Sequence, residues 1–283
     1  MLTLPAPASA RRTLRPLLLA AAMTAVSTLA AAAEPKEPAD ILIKGGTIYD
    51  GSDAKPYVGD VALRGDQIVY VGKATKLAAR RIVNAKGMIV SPGFIDAHTH
   101  ADSFIRSPDK SVRVNAAWLD QGASTVMIGV DGYGTPDIAA DTSKLINAGI
   151  GTNIVPFIGF GSIRKRVLGD DARAPNAAEL ASEKALAAKG MCEGAVGLST
   201  GLFYPPQSFA KTEEVIAVAR EVAKRGGLYD THQRDESSYN IGLLGSVKEV
   251  IRIGREADMP IHFAHLKALG VDVQGQAPAV IAE

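Results

Sequence analysis

One segment of the chain reads Ser91-Pro92-Gly93-Phe94-Ile95-Asp96-Ala97-His98-Thr99-His100-Ala101-Asp102. The apolar residues before and within it predict a β-strand over residues 88–98 that ends in a His-x-His pair. Side chains alternate between the two faces of a strand, so we expect His98 and His100 on the same side. Two converging imidazoles suit a divalent metal ion such as zinc. The segment therefore predicts a metal site at the end of a buried strand.

Composition and charge narrow the class of protein. The chain has 283 residues, 47% apolar and 22% charged, which is enough for one large domain with or without a small one. Its net charge of +1 gives no excess of positive charge of the kind that nucleic-acid-binding proteins have. The single cysteine, Cys192, excludes an intrachain disulfide. We expect Cys192 to be a buried small residue in the helix that precedes residue 194.

Residues 1–33 are predicted to be a cleaved secretory signal peptide. Three arginines precede an apolar run at residues 17–30, and Ala31-Ala32-Ala33 offers a small-residue cleavage site. The run is short for a transmembrane helix. We therefore expect a periplasmic or secreted protein with no membrane attachment after cleavage. The alternatives are an uncleaved anchor and a disordered tail.

Two regions with different patterns follow the predicted signal. Residues 34–90 predict a short linker and consecutive short strands, with Gly45-Gly46 between the first two and a hairpin turn at Gly65-Asp66. In residues 91–283, apolar strands alternate with helical patterns, which predicts parallel strands in βα units. The six predicted strands are 88–98, 123–131, 151–160, 194–202, 227–234 and 260–267.

The sequence of this second region also predicts where several helices begin. Thr135-Pro136 and Thr212 are predicted to begin helices. Asn176 with Glu179, and Ser246 with Glu249, have the spacing of a capping box. Four of the five histidines fall at strand ends, where (β/α)8 barrels keep their active sites.

The segment Pro92-Gly93-Phe94-Ile95-Asp96-Ala97-His98-Thr99-His100 resembles the first-strand motif of the amidohydrolase superfamily of metal-dependent hydrolases. Residues 197–202, Gly-Leu-Ser-Thr-Gly-Leu, and residues 231–234, Thr-His-Gln-Arg, resemble the signature of its D-aminoacylase (N-acyl-D-amino-acid deacylase) family. The resemblance implies an α/β fold, a (β/α)8 TIM-type barrel of which about six units are present, after part of a small N-terminal β-sandwich. An incomplete barrel leaves strand edges unpaired. We therefore expect the N-terminal portion of a longer protein; the alternative is a complete six-unit domain.

The resemblance also implies the residues of the site. The implied metal ligands are His98, His100, Asp131, His232 and His265. Asp131 stands where many members of the family have a metal-binding cysteine, and a carboxylate can also bind zinc; the alternative is a supporting aspartate in a turn. Tyr204 and Arg234 are expected at the substrate pocket, and alternation in the fifth strand places Arg234 on the same face as His232. Alternation in the last strand places His262 on the opposite face from His265, toward the helices, as a packed or surface histidine. Phe160 replaces a histidine that relatives often have near the pocket.

The implied function is hydrolysis of N-acyl-D-amino acids, which are small-molecule substrates. One or two Zn²⁺ ions are the implied cofactor, and a zinc-bound hydroxide would attack the scissile amide carbonyl. The family's general base is an aspartate at the end of strand eight, expected beyond Glu283. We therefore assign no catalytic residue and expect the chain alone to be inactive. The alternatives are another amidohydrolase activity, on cyclic amides or dipeptides, and a non-catalytic truncated paralogue.

Overall fold

The computed structural model describes residues 37–283, so the predicted signal peptide lies outside the described residues. These residues form two compact units, one that ends at Ser91 and one that spans Pro92–Glu283. Across residues 37–283, no helix has the length and apolar character needed to cross a membrane.

The first unit is a five-stranded mixed sheet built around its first strand. Its strands are β1 (Ala39–Ile48), β2 (Tyr57–Arg64), β3 (Gln67–Gly72), β4 (Ala79–Asn84) and β5 (Ile89–Val90). Strand β1 pairs antiparallel with β2 and parallel with β4 and β5. The predicted hairpin is confirmed, because β2 and β3 pair antiparallel across Gly65-Asp66.

The expected break at Gly45-Gly46 is not found, since β1 runs through both glycines. Its pairing with β2 shifts register between Ile43 and Gly46, and Gly45 has a φ of +76°. An extra residue in one strand forms a β-bulge, and glycine adopts the positive φ that this bulge needs without a steric cost. The glycines therefore bend one strand and do not separate two.

The second unit contains a six-stranded parallel sheet. Its strands are β6 (Phe94–Asp96), β7 (Ala123–Ile128), β8 (Asn153–Gly159), β9 (Gly197–Gly201), β10 (Leu228–His232) and β11 (Ile261–Phe263). Each strand lies beside the next one in the chain, from β6 to β11. This order is that of successive units of a (β/α)8 barrel. The predicted α/β fold with six βα units is confirmed.

The helices of this unit lie between consecutive strands and after β11. They are α1 (Asp102–Ile105), α2 (Lys110–Arg113), α3 (Ala116–Leu119), α4 (Ile138–Ala148), α5 (Phe160–Leu168), α6 (Ala177–Cys192), α7 (Thr212–Ala223), α8 (Leu243–Ala257) and α9 (Ala277–Ala282). The largest apolar cluster packs one face of the sheet, with Leu198 and Tyr229, against the helices. A smaller cluster with Met127, Phe157 and Leu228 covers the other face, which we call the inner face.

The strands are shorter than predicted, most clearly at the first one. Ile89 and Val90 pair with β1 of the first unit, whereas Phe94–Asp96 pairs with β7 of the second. Pro92 has no backbone N–H and cannot continue a ladder through this junction. The single strand predicted over 88–98 is therefore wrong. His98 and His100 lie beyond the end of β6, outside the region where alternation applies.

Two of the predicted helix starts are confirmed and two are wrong. Asn176 and Glu179 form a capping box, and α7 begins at Thr212. Helix α4 begins at Ile138, two residues after Pro136. Helix α8 begins at Leu243, so Ser246 lies inside it, and its Oγ accepts a hydrogen bond from a backbone N–H in the loop after β10.

Cys192 lies in α6, as predicted, and is its last residue, but it is exposed and not buried. The terminal turn of a surface helix projects its side chains into solvent more readily than the turns that face the sheet. The thiol is therefore open to solvent at the end of α6.

Glu183 of α6 makes the stability of the protein depend on pH. It is fully buried, and neither carboxyl oxygen has a hydrogen-bond partner. Burial, with the nearby charge of Glu214, raises its pKa to about 7. The unfolded carboxyl ionises near its ordinary value of about 4.3, so the native state binds more protons between these two values. Its contribution to the free energy of unfolding therefore falls as pH rises from about 4.5 through 7.

Glu183→Gln removes this ionisation while keeping the shape of the side chain. We expect the variant to be more stable than the wild type above pH 7, by up to about 3 kcal/mol, with the gain disappearing near pH 4.5. Urea unfolding between pH 4.5 and 8 measures the difference. Glu213→Gln, at an exposed carboxylate, is the matched control and should give no such gain. A Glu183→Gln curve parallel to that of the wild type would contradict this account.

Candidate metal centre

The residues predicted as metal ligands lie at the carboxyl edge of the parallel sheet. His98 and His100 follow β6, Asp131 follows β7, His232 ends β10, and His265 follows β11. The carboxyl ends of parallel strands meet at one edge, so residues far apart in the chain come together there. The structure places all five in two groups of possible metal ligands.

The first ligand group consists of His98, His100 and Asp131. The Nε2 atoms of His98 and His100 each lie 3.4 Å from a different carboxylate oxygen of Asp131. Two donor atoms at about 2.0 Å from a tetrahedral zinc are about 3.3 Å apart. The Oδ1 atom of Asp131 is buried and has no hydrogen-bond partner. A buried carboxylate oxygen of this kind needs a cation, so the group fits a divalent metal ion.

The second ligand group consists of His232, Glu236 and His265. The Nε2 atom of His265 lies 3.1 Å from Nδ1 of His232, and its Nδ1 lies 2.6 Å from Oε1 of Glu236. Lys267 pairs with the other oxygen of this buried Glu236 at 2.8 Å. The two groups adjoin, because the rings of His98 and His265 are 6.3 Å apart.

Glu236 was not predicted from the sequence. The available signal was a carboxylate just beyond the end of the strand that carries His232. Nothing local distinguishes it from Asp235, whose carboxylate accepts the backbone N–H groups of Ser237, Asn240 and Gly242 and so holds the loop.

The pKa values in the site follow from burial and from the alternation of acids and imidazoles. Burial alone would lower the pKa of His98, but its interactions with the nearby carboxylates of Asp131 and Asp230 outweigh burial and raise the pKa to about 9. Burial would raise the pKa of Asp131, but the adjacent imidazole of His98 outweighs burial and lowers the pKa. Burial lowers the pKa of His232. At neutral pH, Asp131 is ionised and His232 offers a neutral nitrogen, which are the forms that bind metals. His98 is protonated at this pH, so a metal ion that binds its Nε2 must displace the proton there.

The loop that carries Asp131 is fixed by two buried side chains. Ser199 donates a hydrogen bond to the carbonyl of Gly129 at 2.6 Å and accepts one from the N–H of Gly132 at 3.1 Å. Gln207 donates to the carbonyl of Asp131 at 2.7 Å and accepts a backbone N–H of β9 at 2.9 Å. Asp131 has a φ of +54°, a left-handed conformation that aspartate tolerates better than most residues. The backbone is thus held so that its carboxylate faces the histidines.

Aromatic side chains border the ligand groups. The ring of Tyr204 is 4.8 Å from that of His232 and 6.1 Å from that of Tyr133, and the ring of Phe203 is 5.9 Å from His232. Burial and the charge of Asp131 raise the pKa of Tyr204, which stays a neutral hydrogen-bonding phenol. The structure therefore places Tyr204 beside the candidate metal site.

The prediction that Arg234 shares the face of His232 is wrong. Strand β10 ends at His232, and alternation does not extend beyond it. The buried guanidinium of Arg234 pairs with both carboxylate oxygens of Glu249 in α8, at 2.8 and 2.9 Å. It also donates to the carbonyls of Ser208 and Ala210. This guanidinium ties the loop before α7 to α8 and is not directed at the ligand groups.

The prediction that His262 faces the helices is also wrong. In β11 it is Ile261 and Phe263 that pack against the helical cluster, so His262 lies on the inner face. There its Nδ1 lies 2.7 Å from Oδ1 of Asp230. Alternation was correct within the strand but was counted back from His265, which lies beyond the end of β11.

Three further residues discussed in the sequence, two aspartates and one phenylalanine, lie outside the ligand groups. Asp96 accepts a hydrogen bond from the indole of Trp118, and Asp102 accepts the N–H of Gly129. Phe160 is fully buried in the helical cluster. Position 160 therefore serves packing in this chain and not the pocket.

Comparison with known proteins gives one coherent picture. The sequence model described as the amidohydrolase family matches residues 81–278. A D-aminoacylase of Alcaligenes xylosoxydans xylosoxydans is 34% identical over 258 residues, which are 83% of this chain and 52% of the relative. The N-acyl-D-glutamate deacylase of Bordetella bronchiseptica, solved with zinc and a phosphonate mimic of the tetrahedral intermediate, superposes with a TM-score of 0.79 at 30% identity. The superposition covers 87% of this chain and 55% of the deacylase.

A solved D-aminoacylase with a binuclear metal centre, described by one-metal activation and second-metal attenuation, superposes with a TM-score of 0.75. The two chains are 33% identical, and the superposition covers 87% of this chain and 55% of the D-aminoacylase. The chain thus spans about half the length of the curated relatives it matches.

Arg234→Ala tests the structural role of this arginine. Removing one partner of a buried ion pair leaves the other charge uncompensated, so we expect the free energy of unfolding to fall by about 3–5 kcal/mol. Bound metal per folded chain should not change. Urea unfolding and elemental analysis measure the two quantities.

Arg166→Ala is the matched control, because Arg166 forms an exposed ion pair with Asp137. It should cost less than about 1 kcal/mol. An Arg234→Ala protein with wild-type stability would instead favour the original expectation that Arg234 binds substrate.

Proposed function

The chain belongs to the amidohydrolase family, and we propose that the protein carrying it is a metal-dependent hydrolase of linear amides that deacylates N-acyl-D-amino acids. The observation that carries the proposal is the convergence of four histidines and Asp131 in two adjoining ligand groups. The similarity to a D-aminoacylase and to an N-acyl-D-glutamate deacylase supports the substrate class. Because the chain spans about half of these relatives, the activity is proposed for the protein that carries it.

We propose Zn²⁺ as the cofactor, as one or two ions. His98, His100 and Asp131 would hold one ion, and His232 with His265 would supply nitrogen ligands to a second position. When bound, such an ion supplies a Lewis acid for the amide carbonyl and activates water near neutral pH. Nitrogen and carboxylate donors suit zinc, and carboxylates are harder ligands than thiolates.

The chain's own residues set the charge and the shape of the proposed site. Ionised Asp131 supplies the negative charge that a cation needs, and neutral His232 has one ring nitrogen that carries no proton and offers its lone pair. Tyr204 and Tyr133 form an aromatic wall beside His232. Such a wall excludes water from one side and leaves phenol groups to hydrogen-bond a polar substrate.

We infer that the general base lies outside residues 37–283. Three buried carboxylates reach the ligand groups, and we assign each of them to holding a metal ion or orienting a histidine, because each lies against imidazoles: Asp131 against His98 and His100, Asp230 against His98 and His262, and Glu236 against His265. A general base must instead be free to take the proton of the attacking water. The aspartate expected at the end of strand eight is the residue that we propose for this role.

Metal content is the measurement that tests the site. Wild-type protein, washed with a weak chelator, should retain about one or more zinc ions per chain. We expect His232→Ala and Asp131→Asn to retain less, because each removes a donor or the negative charge. Elemental mass spectrometry gives the stoichiometry. Asp170→Asn, an exposed carboxylate after α5, should behave as the wild type. Wild-type protein that retains no metal would contradict the proposed metal site.

Substrate class is tested separately on the protein that carries the chain. We expect release of amino acid from N-acetyl-D-amino acids, little release from the L-enantiomers, loss of activity on metal removal and recovery with Zn²⁺. Cyclic amides and dipeptides complete the substrate panel. Turnover of only those two classes would leave the metal site standing and reject the deacylase assignment.

A further inference from the structure

Asp230 is a buried carboxylate at the site to which the proposed function gives no role. It lies in β10, two residues before His232, and is fully buried. Its two oxygens lie 3.1 and 3.2 Å from Nδ1 of His98. Its Oδ1 also lies 2.7 Å from Nδ1 of His262. One carboxylate thus joins two histidines that come from opposite edges of the sheet.

The hydrogen bond from His98 determines which of its nitrogens can bind a metal. An ionised carboxylate only accepts hydrogen bonds, so Nδ1 of His98 must carry the proton. The lone pair of a neutral imidazole then lies on Nε2, the atom that faces Oδ1 of Asp131 at 3.4 Å. Asp230 therefore fixes both the ring orientation and the tautomer of His98 in the form that the first ligand group requires.

His262 has the geometry of an anchor and not of a ligand. Its Nδ1 is engaged by Asp230, and it belongs to neither group of possible metal ligands. Its side chain is 41% exposed, so the hydrogen-bonded series from His98 through Asp230 ends at His262 beside solvent. A second N–H on Asp230 helps to compensate a carboxylate that has no solvent exposure.

We propose that Asp230 is a positioning residue for the metal ligand His98, and that His262 holds Asp230 in place. The His262–Asp230–His98 chain supplies the outer hydrogen bonds that orient the first ligand group. Carboxylates that accept a hydrogen bond from a metal-bound histidine raise metal affinity in this way. The inference rests on the proposed metal site and adds to it the residues that prepare the site for metal.

Asp230→Asn is the primary test. The amide carries no negative charge and has one acceptor oxygen in place of two, so its hydrogen bond from Nδ1 of His98 is weaker, and its NH2 group faces ring N–H groups where the second oxygen accepted them. We expect Zn²⁺ affinity, measured by chelator competition, to fall by about 10- to 100-fold. The visible absorption of the Co²⁺-substituted protein should change as well, since the coordination of Co²⁺ changes. Asp170→Asn is the matched control and should retain both the affinity and the spectrum.

Two substitutions at His262 separate positioning from a general effect on folding. Asparagine carries an N–H donor near the position of histidine Nδ1, whereas alanine carries none. We therefore expect His262→Asn to retain zinc affinity and His262→Ala to lose it severalfold, with circular dichroism unchanged in both. Because His262 is partly exposed, this pair decides the question even if Asp230→Asn fails to fold.

The outcomes distinguish this inference from the proposed function. Wild-type protein that binds zinc, with His262→Ala and Asp230→Asn binding it equally well, would overturn the positioning role and leave the metal site intact. Equal losses in His262→Asn and His262→Ala would also overturn it, because the hydrogen bond would then not matter. Wild-type protein that binds no metal would overturn both proposals.

Discussion

Parallel pairing of six strands in chain order is the constraint on which the candidate site depends. It brings His98 and Asp230, which are 132 residues apart in the chain, into hydrogen-bond contact. No local preference could join them, because each reaches the edge from its own βα unit. The helices matter to the site mainly through the apolar cluster that holds the strands together. Packing on one face of the sheet thereby fixes the chemistry at its edge.

Charge at this edge is arranged in alternation. Three buried carboxylates lie against imidazoles: Asp131 against His98 and His100, Asp230 against His98 and His262, Glu236 against His265. Buried acids are costly unless they are hydrogen-bonded or neutralised by a cation. The arrangement leaves Oδ1 of Asp131 and Oε1 of Glu236 without a hydrogen-bond donor. Each ligand group therefore contains one buried carboxylate oxygen that a cation would neutralise.

The sequence predicted the repeating βα units and the residues of the two ligand groups except Glu236, because apolar runs and strand-end histidines are local signals. It failed where a strand was assumed to continue past its end. His262 and Arg234 were placed on the wrong sides for that reason, since alternation stops at the last ladder residue. Asp230, Gln207 and Glu236 were missed because their partners lie far along the chain. Their roles exist only once the edge has formed.

The chemical nature of the candidate donors also determines how the site responds to oxidants. Every candidate donor in the two ligand groups is oxygen or nitrogen, so neither group offers a thiolate to peroxide or to disulfide exchange. The only cysteine of the chain, Cys192, is exposed at the end of α6 and leads into the amino end of β9, at the opposite edge of the sheet from the ligands. Sulfur chemistry and metal binding are thus spatially separated in this chain, and a thiol-reactive label on Cys192 would report on the fold from outside the site.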